Sequence, residues 1–286
     1  MFRTVKDHLW AFDVEWVPDP QAGRVLYDLP PDLSDADVMA EMWKRNGATE
    51  ENKFPFLKTA LCRVVSIAAV QRKVRGADVE LNLLWLPRNT DDPEQCDERT
   101  IIGTFLQAVG RHRPQIVGFN SHGSDLRILV QRGVILGLSQ PEFCVRPEKP
   151  WEDGDYFAAK NNETSVDLME IVGGWGTRAV SLHEVAKLSG IPGKFETQGE
   201  QVAHLWLAGK WREIVQYNCF DALTTYLLWL RVANFAGRFN AQTYEDEQEN
   251  VRQLIMSLAD KVEGDYLTRY FDEWERLHAL ANHRPA

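Results

Sequence analysis

The order of the apolar segments is the feature that most constrains the fold of this chain. Three β-branched and apolar runs, at residues 9–16, 61–73 and 79–87, lie in the first third of the sequence. The second and third are separated only by "VRGAD", a spacing typical of a hairpin. Beyond these runs, helix-like and strand-like patterns alternate. This order predicts an α/β protein whose mixed sheet is flanked by helices.

Local signals predict the remaining elements. Ser34 and Gly47 delimit a short helix inside a region of Pro, Gly and Asp, whereas residues 17–33 are expected to form an irregular loop. A Ser181-x-x-Glu184 capping box predicts another helix. The other expected segments are helices at 97–112, 124–133 (ended by Gly133), 199–211 and 211–237, strands at 115–119 and 165–175 (the latter a short strand or turn), a long loop at 136–163, and one or two amphipathic helices after 240.

Composition excludes several classes of protein. The chain has 286 residues, a formal net charge of −10 and four widely separated cysteines without zinc-ligand spacing, so we expect neither a disulfide framework nor a zinc site. It has no apolar run long enough to span a membrane, and charges occupy the place of a signal peptide's apolar region, so we expect a cytoplasmic protein. The acidic balance argues against nonspecific coating of duplex nucleic acid, but metal ions could still supply positive charge at one site.

Two carboxylates share one face of the first strand. Side chains two positions apart in a strand point the same way, so Asp13 and Glu15 lie together while Phe12, Val14 and Trp16 take the other face. Two such charges are costly together unless a cation lies between them. The alternative is a solvated strand end.

Two further acidic positions have structural explanations when each is taken alone. Asp125 begins a helix and could serve as a cap. Tyr217 and Asp221 lie one turn apart beside an apolar helix face, where they could hydrogen-bond to each other. Together with Asp13 and Glu15 they provide a carboxylate set without histidine, which suits Mg²⁺ or Mn²⁺. Two such ions would clamp an in-line phosphoryl displacement.

The order Asp-x-Glu, Asn-x4-Asp, Tyr-x3-Asp resembles the DEDD superfamily of 3′-5′ exonucleases, tyrosine branch. The stretches "FDVEWVPD", "GFNSHGSDLRIL" and "SLHEVAKLSGIPGK", with the long helix around Tyr217, are similar to a bacterial family of predicted exonucleases related to the proofreading domain of family B DNA polymerases. This similarity spans roughly residues 8 to 236 and implies a ribonuclease H-like fold.

The resemblance also implies roles for individual residues. Asp13, Glu15 and Asp221 would hold one divalent cation, Asp13 and Asp125 a second, and Tyr217 would orient or help deprotonate the attacking water. Two further residues are expected at the substrate. Asn120 would approach the substrate backbone, or alternatively form the turn, and Trp16 would stack on a base, or alternatively pack in the core.

We therefore expect a 3′-5′ exonuclease that acts on single-stranded 3′ ends, DNA favoured, and releases nucleoside 5′-monophosphates. One alternative is an exoribonuclease of the same superfamily. The other is a noncatalytic nucleic-acid-binding or scaffold protein, which predicts the loss of an acidic ligand, whereas all four are present. The exonuclease domain is expected at 1–237, with an insertion at about 18–55, and a helical extension at 238–286. The basic segment 63–75 could guide a strand or protect a sheet edge.

Overall fold

The computed structural model describes residues 2–76, 78–149, 152, 154–158, 163–173, 180–195, 199–261 and 264–282. The expected short strand or turn at 165–175 is confirmed only in part: Ser165–Asp167 form a strand, Leu168–Val172 form a helix, and residues 174–175 lie outside the described residues. Within the described parts of the chain, no helix is both long and apolar enough to cross a membrane.

A five-stranded mixed sheet forms the centre of the protein. Its strands are β1 (His8–Pro18), β2 (Cys62–Arg75), β3 (Asp78–Leu86), β4 (Gln115–Gly118) and β5 (Ser165–Asp167), in the order β3-β2-β1-β4-β5. β1 pairs with β2, and β2 with β3, in antiparallel orientation, whereas β1–β4 and β4–β5 are parallel. This is the mixed, ribonuclease H-like α/β arrangement that the sequence predicted.

Ten α-helices of the described chain surround the sheet. They are α1 (Pro20–Tyr27), α2 (Asp35–Arg45), α3 (Glu98–His112), α4 (Asp125–Ile135), α5 (Leu168–Val172), α6 (Leu182–Leu188), α7 (Gly199–Leu207), α8 (Trp211–Phe235), α9 (Ala241–Ala259) and α10 (Tyr266–Asn282). The predicted caps are confirmed, since Ser34 caps α2 and Ser181 forms a reciprocal capping box with Glu184 at α6.

Two local predictions were wrong. The expected loop at 17–33 contains α1, because Asp19 accepts a hydrogen bond from the amide of Gln21 and Pro20 occupies the first helical position, where its missing amide costs nothing. The helix at 124–133 does not end at Gly133 but continues to Ile135. Glycine weakens a helix without necessarily ending it, and the left-handed residue that follows this helix is Gly137, with φ of 66°.

The alternation of β1 divides the core into two layers. Leu9 and Ala11 pack into a cluster with α8, α9 and α10, whereas Trp10 and Phe12 pack with α3 and α4 on the other face. Because side chains two apart in a strand share a face, Asp13 continues the row of Leu9 and Ala11 toward α8. α8 is buried along most of its length, since the sheet covers one side and the C-terminal helices cover another.

Candidate active site

Three carboxylates from two elements converge beside the sheet. Asp13 and Glu15 of β1 and Asp221 of α8 each place an oxygen within 4.8 Å of the others. Glu15 is 9% and Asp221 3% exposed, so little water screens these charges from one another. The sheet register and the packing of α8 on β1 thus bring together residues that are more than 200 positions apart in the sequence.

The fourth predicted acid lies in the same cavity but outside this compact group. Asp125 begins α4 and is buried, and its carboxylate accepts hydrogen bonds from the amide of Val14 at 3.2 Å and from the hydroxyl of Ser124 at 3.0 Å. It lines a cavity of about 750 Å³ with Asp13, Glu15 and Asp221. Asp125 is therefore tied to β1 and faces the same space from another helix.

Burial, together with mutual repulsion at Asp13 and Glu15, raises the pKa values of these carboxylates. Burial, followed by the neighbouring carboxylates, raises the pKa of Asp13 well above its usual range and that of Glu15 to about 8. Burial raises the pKa of Asp125 to about 7, although its hydrogen bonds oppose the shift, and also raises the pKa of Asp221. Such a set of oxygen ligands lacks positive charge, which a divalent cation would supply.

Lys194, from the segment after α6, is a functional candidate that sequence reasoning missed. Its ammonium lies 3.8 Å from a carboxylate oxygen of Asp221 and 5.7 Å from the ring centroid of Tyr217. Burial pulls the pKa of Lys194 down, but the carboxylates, Asp221 first, outweigh it and raise the pKa. Among the described residues that line the cavity, Lys194 provides the one ammonium, which cannot balance the charge of four carboxylates. A bound cation could supply the remaining positive charge. Lys194 ends the stretch "SLHEVAKLSGIPGK", yet nothing in that stretch shows which element it faces.

Tyr217 lies one turn before Asp221 on α8. Its ring is 4% exposed, and its hydroxyl forms no well-shaped hydrogen bond with any residue that the structure describes. Burial and the nearby carboxylates, Asp221 first, raise its pKa, so the hydroxyl stays protonated at neutral pH. The hydroxyl interacts with Asp221 without a hydrogen bond of good geometry, so it can turn to donate to a small ligand in the cavity.

Asn218 is a second residue that sequence reasoning missed. Its side-chain amide donates to Asp13 at 2.7 Å and accepts from the hydroxyl of Ser66 on β2 at 2.9 Å. Asn218 and Ser66 are both fully buried. This chain of contacts fixes which way the Asp13 carboxylate turns. The sequence signal that could have identified this pair is the presence of two polar residues, Ser66 and Asn218, within apolar runs, since buried polar groups need hydrogen-bond partners.

Asn120 lies in a tight turn between β4 and α4 and lines the cavity. It adopts a left-handed conformation with φ of 60°. The Asp167 carboxylate holds the turn, accepting hydrogen bonds from the amides of Asn120 at 2.8 Å and His122 at 3.0 Å. Asp167, His122 and Glu170 form another compact group. Because Asp167 is already bonded to the backbone, this group braces the turn.

Trp16 is half-buried and meets the edge of the core, yet it also lines the cavity. The β1–β2 register shifts between Glu15 and Trp16, because Val65 has no partner on β1, which marks a bulge in β2 opposite these residues. Such bulges redirect side chains and occur beside active sites. Both interpretations of Trp16, packing and ligand contact, therefore fit its position.

A known protein family matches most of the chain. A family model described as "Predicted 3'-5' exonuclease related to the exonuclease domain of PolB" matches residues 54–274. The match includes Asn120, Asp125, Tyr217 and Asp221, and it starts after β1. It extends into α10, whereas the sequence similarity was expected to end near residue 236.

No curated protein matches the chain. A family B DNA polymerase structure from the hyperthermophilic archaeon Pyrobaculum calidifontis resembles it with 16% identity and a TM-score of 0.49, covering 97% of this chain and 29% of the polymerase. The chain thus spans less than a third of that polymerase. Since the family model matches most of the length of this chain, the chain belongs to the family of predicted 3′-5′ exonucleases related to the exonuclease domain of PolB.

Proposed function

We propose that this protein is a metal-dependent 3′-5′ exonuclease that hydrolyses phosphodiester bonds at unpaired 3′ ends and releases nucleoside 5′-monophosphates. The observation that carries the proposal is the convergence of Asp13, Glu15 and Asp221 within 4.8 Å in a cavity that also contains Asp125. Membership in a family of predicted 3′-5′ exonucleases supports the same reaction.

The carboxylates suit two divalent cations, Mg²⁺ or Mn²⁺. Asp13, Glu15 and Asp221 would hold one, and Asp13 with Asp125 the other. The raised pKa values and the small number of nearby ammonium groups fit this assignment, since a dication relieves the repulsion that raises them. When bound, such ions supply an activated water and neutralise charge on the reacting phosphate.

Side chains around the carboxylates would position the reactants and offset charge. Tyr217, whose hydroxyl has no hydrogen bond of good geometry, would donate to the attacking water and so orient it. Asn218 donates to Asp13 and holds that carboxylate in position. The Lys194 ammonium, beside Asp221, offsets negative charge that accumulates at a phosphate in the cavity. Asn120 is placed at the cavity edge to contact the substrate backbone.

A nucleic-acid substrate follows from the family. We favour DNA because the family is related to the exonuclease domain of a DNA polymerase class. RNA differs in its 2′-hydroxyl and in carrying uracil in place of thymine, so both substrates belong in the test.

The test is a time course on 5′-labelled single-stranded DNA and RNA of matched sequence with Mg²⁺ or Mn²⁺. We expect a ladder that shortens from the 3′ end, faster on DNA, and lost with EDTA or in Asp221→Asn. Asp246→Asn, an exposed position on α9, is the matched control and should keep the ladder. A ladder that persists in folded Asp221→Asn would refute the assigned site, whereas a faster ladder on RNA would establish the exoribonuclease alternative.

A further inference from the structure

The cavity that contains the carboxylates also has an aromatic side. It is lined by Trp16, Trp43, Phe54 and Phe56, which we call the aromatic wall. The rings of Trp16 and Phe56 meet edge to face, with centroids 6.4 Å apart and planes at 89°. Trp43 and Phe54 meet similarly at 4.9 Å and 78°. Most of this wall comes from the insertion at about 18–55 and the residue that follows it.

The wall is anchored to the core. Val38 and Met42 of α2 are fully buried, as is Leu57, so the segments that carry the aromatic rings are fixed on both sides. α1 packs tightly on α2, because a Cβ added at Gly23 would lie 2.7 Å from both Val38 and Met42. The segments that carry Trp43, Phe54 and Phe56 are therefore anchored to the core.

One ring of this anchored wall remains largely in water. Phe56 is 77% exposed although it lies at the cavity that holds the carboxylates. Burying a phenylalanine side chain contributes about 1.5–3 kcal/mol relative to leaving it exposed. A flat apolar ligand that covered this ring would recover part of that free energy.

The chemistry of the cavity identifies such a ligand. The carboxylates, through their cations, would hold a phosphodiester, and the ligand's flat apolar part would have to be attached to that phosphodiester. A nucleobase meets both requirements, and its face is free only when it is unpaired and partly unstacked. Base stacking on aromatic rings accepts every base, since each has a π face.

We propose that the aromatic wall is the binding site for unpaired bases at the 3′ end, with Phe56 and Trp16 as the stacking surface and Trp43 with Phe54 supporting it. The insertion thereby selects single-stranded or frayed ends. This inference rests on the proposed function, because it takes the phosphodiester next to those bases to be the one at the carboxylates.

The experiment pairs a change in the protein with a change in the substrate. We measure kcat and KM on single strands that end either in a normal nucleotide or in one abasic residue. For the wild type we expect the abasic end to raise KM by about 5- to 150-fold, the range that corresponds to the loss of one stacked base. Phe56→Ala should raise KM on the normal end and lose most of the difference between the two ends. Phe235→Ala, which removes another largely exposed phenylalanine, at the end of α8, should behave like the wild type.

Binding provides a second readout that needs no hydrolysis. The anisotropy of a fluorescent single strand should report weaker binding to Phe56→Ala than to the wild type, and only for the normal end. Equal discrimination between normal and abasic ends by the wild type and Phe56→Ala, in either measurement, would overturn the inference. If the strands bind with this pattern but no nucleotide is released, the proposed function fails while the base site stands.

Discussion

At the scale of single residues, two buried tyrosines have different roles: Tyr217 is assigned to catalysis and Tyr156 to the stability of the fold. The Tyr217 hydroxyl makes no well-shaped hydrogen bond to a described residue, whereas the Tyr156 hydroxyl donates to the carbonyl of Pro114 at 2.8 Å. Tyr217→Phe should lower kcat by about 100-fold, as expected when the attacking water loses the hydrogen bond that orients it, and leave the melting temperature unchanged. Tyr156→Phe should keep kcat and lose about 1 kcal/mol of stability. The opposite pattern would exclude the assigned role of Tyr217.

The raised pKa values predict how the metal-free protein responds to pH. The pKa of Glu15 rises from 4.5 to about 8 and that of Asp125 from 3.8 to about 7, so the folded state binds these protons more tightly than the unfolded chain. Their contribution to stability is therefore present below about pH 4 and is lost as the pH rises toward about 8.

Thermal melts with EDTA, from about pH 5 to about pH 8.5, test this sign. We expect the melting temperature to fall more steeply for the wild type than for Glu15→Gln, which carries no such proton. Mn²⁺ should stabilise the wild type more at the upper pH, because the cations compete with protons for the carboxylates. Parallel melting curves for the two proteins would contradict the predicted proton uptake.

Sequence reasoning named the acids but missed their supports. Asp13, Glu15, Asp125 and Asp221 stand out because unpaired carboxylates beside apolar runs are costly. Asn218 is missed because its partner, Asp13, lies 205 positions away and only the packing of α8 on β1 brings the two together.

At the scale of elements, α10 supports the segment that carries Lys194. The hydroxyls of Tyr270 and Thr224 lie 3.0 Å apart, and Thr224 donates to the carbonyl of Pro192 at 2.9 Å. Phe195, next to Lys194, packs on Tyr270 with ring centroids 5.9 Å apart. The residues on both sides of Lys194 therefore contact other elements: Pro192 contacts α8, and Phe195 contacts α10.

Tyr270→Phe removes the hydroxyl that joins this contact and keeps the ring. We expect a lower kcat with little change in KM, because Lys194 is less well placed relative to Asp221. If Tyr270 acts through Lys194, its effect should shrink in a Lys194→Ala background, since changes in one network are not additive. Additive effects in that double-mutant cycle would show that Tyr270 acts elsewhere.

A buried ion pair joins α9 to the sheet. Arg72 of β2 donates to Glu247, whose carboxylate also accepts from the hydroxyl of Tyr226 at 3.1 Å. Arg72 was expected to guide a strand or to protect a sheet edge, but it is 4% exposed and does neither. The partner that changes this interpretation lies in the tail, 175 residues away. The domain boundary at residue 237 remains a prediction.

Breaking this pair should destabilise the whole domain. Arg72→Met leaves a buried carboxylate without its cation and should cost about 3–5 kcal/mol in urea unfolding. Adding Glu247→Gln should recover part of that loss, because it removes the unpaired charge and keeps an acceptor for Tyr226. Full stability in Arg72→Met would indicate that this ion pair contributes little to the stability of the domain.

At the scale of the whole molecule, the acidic surface sets how the protein holds nucleic acid. With a net charge of −10, few phosphates can be neutralised away from the cations, so binding should be weak and sensitive to salt. We expect distributive hydrolysis: with an excess of unlabelled trap, each labelled strand should lose few nucleotides per encounter. Removal of many nucleotides per encounter, in the presence of trap and salt, would mean that the protein itself has a basic surface that holds the strand, contrary to its net negative charge.

The layered sheet could be predicted because strand and helix periodicities differ and because their order limits the topology. The aromatic wall could not, because Trp16 and Phe56 come from segments whose mutual packing has no local signal. α1 was missed for a related reason: Pro and Gly suggest a loop, and only the Asp19 cap and the packing of Gly23 on α2 convert the segment into a helix.

The central claim is that the protein, using divalent cations bound in the carboxylate cavity, hydrolyses 3′ ends and releases nucleoside 5′-monophosphates. It is tested most directly with a strand whose last internucleotide phosphate is radiolabelled. With Mn²⁺, chromatography should show the label leaving at the start of the reaction as nucleoside 5′-monophosphate, with none released by folded Asp13→Asn. Release of the label within oligonucleotides or as inorganic phosphate, or an unchanged rate in Asp13→Asn, would contradict the account.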